Sequence, residues 1–236
     1  MTIDEIVSYL FAHASEKFKA NVVKLGIPED CSIGVPTTEL RKFAKQIPKD
    51  KLFLKELWQT NYHECKILAV LAMKPKECTN EDIYFFMEGI QSWDLCDLFC
   101  KTIVIKMADY GTFIQEWIVH KDLFYKRAAF TLIASTSTHV TLTIDEIKGY
   151  LKLIETCSDD ERLLVKKAAS WALRELGKTD EVAKTLSIET AEKLKKSTSK
   201  AQQWIAKDAL KELELLVKVE GRKRLISAKS KMGREG

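Results

Sequence analysis

The chain has 236 residues, 46% of them apolar and 31% charged, which allows a sizeable core of ordinary globular composition. Only 9 glycines and 4 prolines are present, too few for the tight turns of a sheet-rich fold. The net charge is +4. No apolar run is long enough to span a membrane and no secretory pattern follows Met1, so a cytoplasmic setting without a membrane partner is expected.

Thr2 and Glu5 have capping-box spacing and predict a first helix over 2–14. A second is expected over 16–25, stopping at Gly26. Cys31 to Pro36 (CSIGVP) reads as a non-helical stretch with some β-like character. Helices follow over 37–46, 50–59 (with Leu54, Leu57 and Trp58 as its apolar stripe) and 62–74, the last opened by Asn61 with Glu64 as a second capping box. The next run over 80–90, from a Thr79 cap to Gly89, and over 92–108, from a Ser92 cap along Leu95, Phe99, Ile103 and Met107. Gly111 is placed at a helix stop, ahead of helices over 112–120 and 123–136. The rest are 143–156 (Thr143 with Glu146), 160–177 (stopping at Gly177), 179–186, 189–196 and 198–217. No strand pairing is expected.

Connections this short make neighbouring helices antiparallel. A shorter helix precedes a longer, more apolar one, and these second helices start near 62, 92, 123, 160 and 198. The spacing of about 30 to 38 residues suits an all-α, HEAT-like superhelix, a solenoid of antiparallel helix pairs. Residues 1–219 are read as one such domain and 220–236 as a basic tail. The tail carries Arg222, Lys223, Arg224, Lys229, Lys231 and Arg234, which fits either contact with nucleic acid or a solvated end. The six cysteines are Cys31, Cys65, Cys78, Cys96, Cys100 and Cys157. No C-x-x-C pair occurs, so they are read as reduced core residues, and His63 with Cys65 lacks a second ligand pair for zinc.

Aligning the second helices by apolar pattern produces one column of Lys66, Asp97, Arg127 and Lys167. Cations on parallel helices make a track for a phosphate backbone, and Asp97 interrupts it. The acid could pair with Lys101 one turn on, or neutralise Lys66 or Arg127. Alternatively it faces a positive centre on nucleic acid, an alkylated base or the oxocarbenium sugar formed as such a base leaves. At an effective dielectric near 20 and about 4 Å that attraction is roughly 4 kcal/mol, supplied by a charge already in place. Trp93 lies four residues before Asp97 on the same helical face, and Trp171 lies one turn after Lys167 and one turn before Arg174. Indole faces suit a cationic substrate, although core packing accounts for either residue equally well.

Ser92-Trp93-Asp94-Leu95-Cys96-Asp97 resembles the W-D-x-x-D segment of the AlkD-like DNA alkylation-repair glycosylases. Tyr125-Lys126-Arg127-Ala128-Ala129 is similar to their x-x-R-A-A segment, and Lys166 to Glu175 (KKAASWALRE) to K-A-x-x-W-x-L-R-E. The resemblance runs from about Thr37 to Ala206. It implies a HEAT-like fold clasping duplex DNA, and hydrolytic release of cationic N3- or N7-alkylated purines without metal or cofactor. By matching position, Asp97 stabilises the oxocarbenium and helps position water, Trp93 and Trp171 frame the lesion, and Arg127 holds a phosphate. With Lys66, Lys167, Lys126 and Arg174, Arg127 forms the expected DNA-binding set. The partner so implied is double-stranded DNA with alkylated bases, bound by a monomer. Gly34 to Arg41 (GVPTTELR) resembles a subgroup with a reduced N-terminal lesion-recognition element. A DNA-binding protein without excision and a HEAT-type protein scaffold are the other two readings.

Overall fold

The computed structural model describes residues 1–235. Among these, the chain divides into two compact units, Met1–Ala108 and Asp109–Gly236.

The first unit contains α1 (Ile3–Ala12), α2 (Glu16–Lys24), α3 (Thr37–Phe43), α4 (Lys51–Gln59), α5 (His63–Ala72), α6 (Asn80–Glu88) and α7 (Trp93–Thr102). Capping boxes start α1 at Thr2–Glu5 and α6 at Thr79–Asp82, as side chains satisfy otherwise unpaired first-turn amides. α5 is the centre of this unit: α1, α3, α4 and α7 all pack on it, and Cys65, Leu68 and Ala69 on it are wholly buried. Burial of each larger apolar side chain contributes about 1.5–3 kcal/mol. α7 is shorter than its apolar stripe suggested. It ends at Ile103, and a 3-10 turn follows at Val104–Lys106.

The second unit contains α8 (Tyr110–Trp117), α9 (Leu123–His139), α10 (Ile144–Cys157), α11 (Leu163–Gly177), α12 (Glu181–Lys195) and α13 (Lys200–Leu213). Here α9, α11 and α13 stack in sequence, while α8 packs on α9 and α10 on α12. That is the helix-pair arrangement expected of the second helices. Gly111 lies in the first turn of α8 and ends no helix. The break predicted near 187–188 does not occur, because Ser187 is wholly buried within the continuous α12. Packing overrides the weak local propensity there. Gly177 shows how tight it is, since a Cβ at that position would collide with Leu213 of α13.

After α13 the chain forms a two-residue antiparallel ladder, β1 (Leu216–Val217) with β2 (Ile226–Ser227), and a short helix α14 (Lys231–Glu235). This corrects the expectation of no strand pairing. The basic segment is also not simply solvated: Leu225 is buried, and Arg224 donates to the Glu175 carboxylate at 2.7 Å. All six cysteines are free; Cys31, Cys65, Cys96 and Cys100 are buried, whereas Cys78 and Cys157 are half-exposed. Burial pushes the Cys65 thiol up to about 11.

A buried acid clamps the first unit and a half-buried one the second. In the first, Asp82 on α6 meets Lys51 at 2.6 Å and Lys55 at 2.7 Å. In the second, Glu212 on α13 meets Arg174 at 2.6 Å and Lys178 at 2.7 Å. Burial alone would raise the pKa values of Asp82, Glu175 and Glu212, but hydrogen bonds from the cationic partners outweigh it and hold all three below the usual carboxylate range. A depressed folded pKa gives stability that is complete above the unfolded value, about 4, and lost as pH falls through the folded one. Urea midpoints should therefore fall progressively as pH drops below about 4, and Asp82→Asn should shrink that fall.

Candidate functional site

The predicted face of α7 opens onto a cleft in the first unit. Trp93, Asp97 and Lys101 recur every four residues and project from one side of the helix. With Asp94 and Leu98 they line a cavity of about 250 Å³, closed by Thr37 and Arg41 of α3 and Ile67 of α5. Asp97 and Trp93 are both half-buried, and the cations beside them, Arg41 and Lys101, are exposed. Among the described residues Arg41 has no ion pair or hydrogen-bonded side-chain partner. An acid and an indole, set beside cations that can attract phosphate, make a surface able to hold a polyanion and stabilise a positive centre on it.

The indole is not loose in this cleft. Trp93 Nε1 donates to the Leu25 carbonyl, which follows α2, at 2.9 Å. Asp94 next to it also lines the cleft but is paired within the protein: its Oδ2 lies 2.9 Å from Nε2 of buried His63. A carboxylate only accepts, so Nε2 carries the proton. Burial would raise the Asp94 pKa, but the His63 hydrogen bond and charge, with Ser92 and the Leu95 amide, lower it overall. Neither His63 nor Asp94 was anticipated in this role. The signal available was the W-D-x-x-D spacing, which places Asp94 about 100° around the helix from Trp93.

Lys66 does not line this cleft. It is 7% exposed, its Nζ donates to the Gly89 carbonyl at 2.8 Å, and it lies over the Trp58 ring at 5.5 Å from the centroid. Burial lowers its pKa. α5 instead presents Ile67 to the cleft, so the alignment of helices by apolar pattern was off by one residue here.

Glu64 also departs from expectation. The N-cap of α5 is Tyr62, while Asn61 takes a left-handed backbone (φ 66°) outside the helix. The Glu64 carboxylate is buried and accepts from the amides of Ile33, Gly34 and Val35 at 2.9, 2.7 and 3.3 Å. It thereby orders the Cys31–Pro36 stretch, which forms no strand. Gly34 has φ +97°, and a Cβ there would stand 2.9 Å from the Ser15 carbonyl, so this loop packs directly on the start of α2.

The other predicted residues belong to the second unit. Arg127 is 6% exposed and donates to the Leu164 carbonyl at 2.7 Å, joining α9 to the first turn of α11. Lys126 faces Asp160 at 3.6 Å and Asp159 at 4.0 Å. Arg174 belongs to the Glu212 network. Trp171 is half-buried on α11. Lys167 is exposed and makes no ion pair among the described residues. Of the five predicted DNA-binding cations, then, four already have protein partners.

Removing the Glu64 carboxylate strands three buried amides. Glu64→Ala should cost about 3–5 kcal/mol, read as a lower urea midpoint, with faster hydrogen exchange first at Ile33–Val35.

No curated protein matches the sequence. A solved structure matches with a TM-score of 0.73 and 17% identity, covering 100% of this chain and 94% of the other. It is described as representing "a new family of proteins related to the HEAT-like repeat DNA glycosylases with affinity for branched DNA structures". At that identity the likeness establishes the HEAT-like fold. An engineered protein with a TM-score of 0.38 and 16% identity, covering 73% of this chain and 88% of its own, carries no argument. The family model described as DNA alkylation repair enzyme matches residues 6–213, nearly the whole chain with its cleft, and the chain therefore belongs to the DNA alkylation repair enzyme family.

Proposed function

We propose that this protein binds double-stranded DNA and uses the α7 cleft to promote hydrolytic release of cationic N3- or N7-alkylated purines. One observation carries the reading: Asp97 and Trp93 share a cleft with the cations Arg41 and Lys101, while its other acid, Asp94, is paired with His63. Arg41, with Lys167 of the second unit, supplies phosphate contacts from exposed cations. Asp97 lies where positive charge develops on the sugar as the base departs. A cationic base is already a good leaving group, so the protein need lower only part of the barrier. Trp93 offers its ring to the sugar.

In the test, purified protein is incubated with duplex DNA containing 7-methylguanine and released base is measured. Asp97→Asn should abolish release while leaving duplex affinity equal or slightly higher, since a repulsive charge is removed. Equal release by wild type and Asp97→Asn would end the catalytic assignment.

A second reading is binding without excision. It is supported by the match over 94% of a protein described as having affinity for branched DNA, and by the nine-residue α2, which buries none of its side chains fully. Retained duplex or junction binding with no base release would select it.

Both readings require phosphate contacts. Each of Arg41→Ala and Lys167→Ala should reduce the slope of log affinity against log salt by about one, while Lys66→Ala should leave it unchanged.

A further inference from the structure

The start of α7 lacks the local support that most helices have. Its N-cap Ser92 makes no capping hydrogen bond with its side chain. Its first turn nonetheless carries Trp93 and leads directly to Asp97. Asp94 accepts locally from Ser92 and the Leu95 amide, and tertiary contacts add to this. On one side Trp93 Nε1 donates to the Leu25 carbonyl at 2.9 Å. On the other, His63 Nε2 donates to Asp94 Oδ2 at 2.9 Å, and the Ser92 hydroxyl lies 3.5 Å from His63 Nδ1.

His63 is well placed to act as the fixed end. It is 6% exposed and opens α5, the helix on which the unit is built. Its own amide donates to the Cys31 carbonyl at 2.8 Å. Its neighbour Glu64 holds the following loop residues through three amides. The ring therefore projects from a backbone restrained on both sides.

We infer that His63 and Asp94 form a positioning pair: the first acid of the W-D-x-x-D segment docks α7 on α5, so that Trp93 and Asp97 face the cleft at a set angle. Asp94 is thus the orienting acid and Asp97 the acting one. The negative Asp94 also sits favourably in the first turn of its helix. Misplacement of a reacting group by about 1 Å costs as much as a hundredfold in rate, so this pair influences turnover without contacting the reacting atoms. Only the kinetic part of this inference rests on the proposed base release.

The test reads the indole N–H signals of ¹⁵N-labelled protein, with Trp93 and Trp58 assigned by their loss in Trp93→Phe and Trp58→Phe. Trp58 is buried in the same unit and reports whether that unit remains folded. His63→Ala should shift the Trp93 signal and speed its hydrogen exchange roughly tenfold, leaving Trp58 in place. His63→Gln, whose Nε2 reaches a similar position and still donates, should restore Trp93. If the wild type releases base, His63→Ala should slow single-turnover release about tenfold to a hundredfold, with duplex affinity within about twofold. An unchanged Trp93 signal in His63→Ala overturns the inference. So does joint loss of the Trp93 and Trp58 signals that His63→Gln does not rescue, which marks a folding role alone. A wild type that releases no base defeats the catalytic reading, while the indole signals still decide this one.

Discussion

The Glu64 carboxylate, buried at the start of α5, accepts three consecutive amides from a stretch that would otherwise have no regular structure. A buried loop must satisfy its backbone polar groups, and no strand or helix is available here to do so. One side chain takes their place. Because that side chain stands on the first turn of α5, the loop after α2 and the helix bearing the cleft are referred to the same short piece of backbone. The polar group adjoining it, His63, reaches Asp94, and Lys66, two residues after Glu64, reaches the end of α6 at Gly89. Three polar side chains within four residues thus secure a loop, α7 and the end of α6. The order of these contacts explains why a helix rich in buried apolar residues also buries a histidine, a glutamate and a lysine.

The charge layout follows from this constraint. Once Lys66 is drawn toward Gly89 and Trp58, it no longer stands beside Asp97, and the cations lining the cleft come from α3 and from the next turn of α7. In the second unit the pattern is similar. Arg127 bridges to Leu164, and Arg174 and Lys178 share Glu212. In this family member Arg127, Lys126 and Arg174 therefore bind protein partners, whereas exposed Arg41 and Lys167 make no ion pair among the described residues. An arginine that is 6% exposed and joins α9 to α11 supports helix packing, so loss of DNA binding on mutating such a residue would not by itself identify a contact.

Membership of the DNA alkylation repair enzyme family and the HEAT-like fold rest on matches across nearly the whole chain. The chemistry rests on a much smaller set of atoms. An acid beside an indole fits stabilisation of a transient cation, and the same cleft without turnover fits a protein that only binds. The helix that carries this acid is held at its first turn by His63, through Asp94.

The amino-acid sequence by itself determined most of the helices, the stacking of alternate helices within each unit, and the grouping of Trp93, Asp97 and Lys101 on one face. All of these follow from periodicity within one segment, where 3.6 residues per turn converts spacing into direction. It also singled out Asp97, with an indole four residues before it, in a column otherwise read as cationic, although Lys66 and Arg127 of that column turn to protein carbonyls. Only the tertiary structure decided which groups that face meets. Glu64 reaches residues 33–35, His63 reaches Asp94, Lys66 turns to Gly89, and Arg224 turns to Glu175. These pairs lie about 30 to 50 positions apart in the chain, or 23 for Lys66. Their choice depends on interhelical packing, where rotating a helix by one residue, about 100°, exchanges a cleft-lining Ile67 for a buried Lys66.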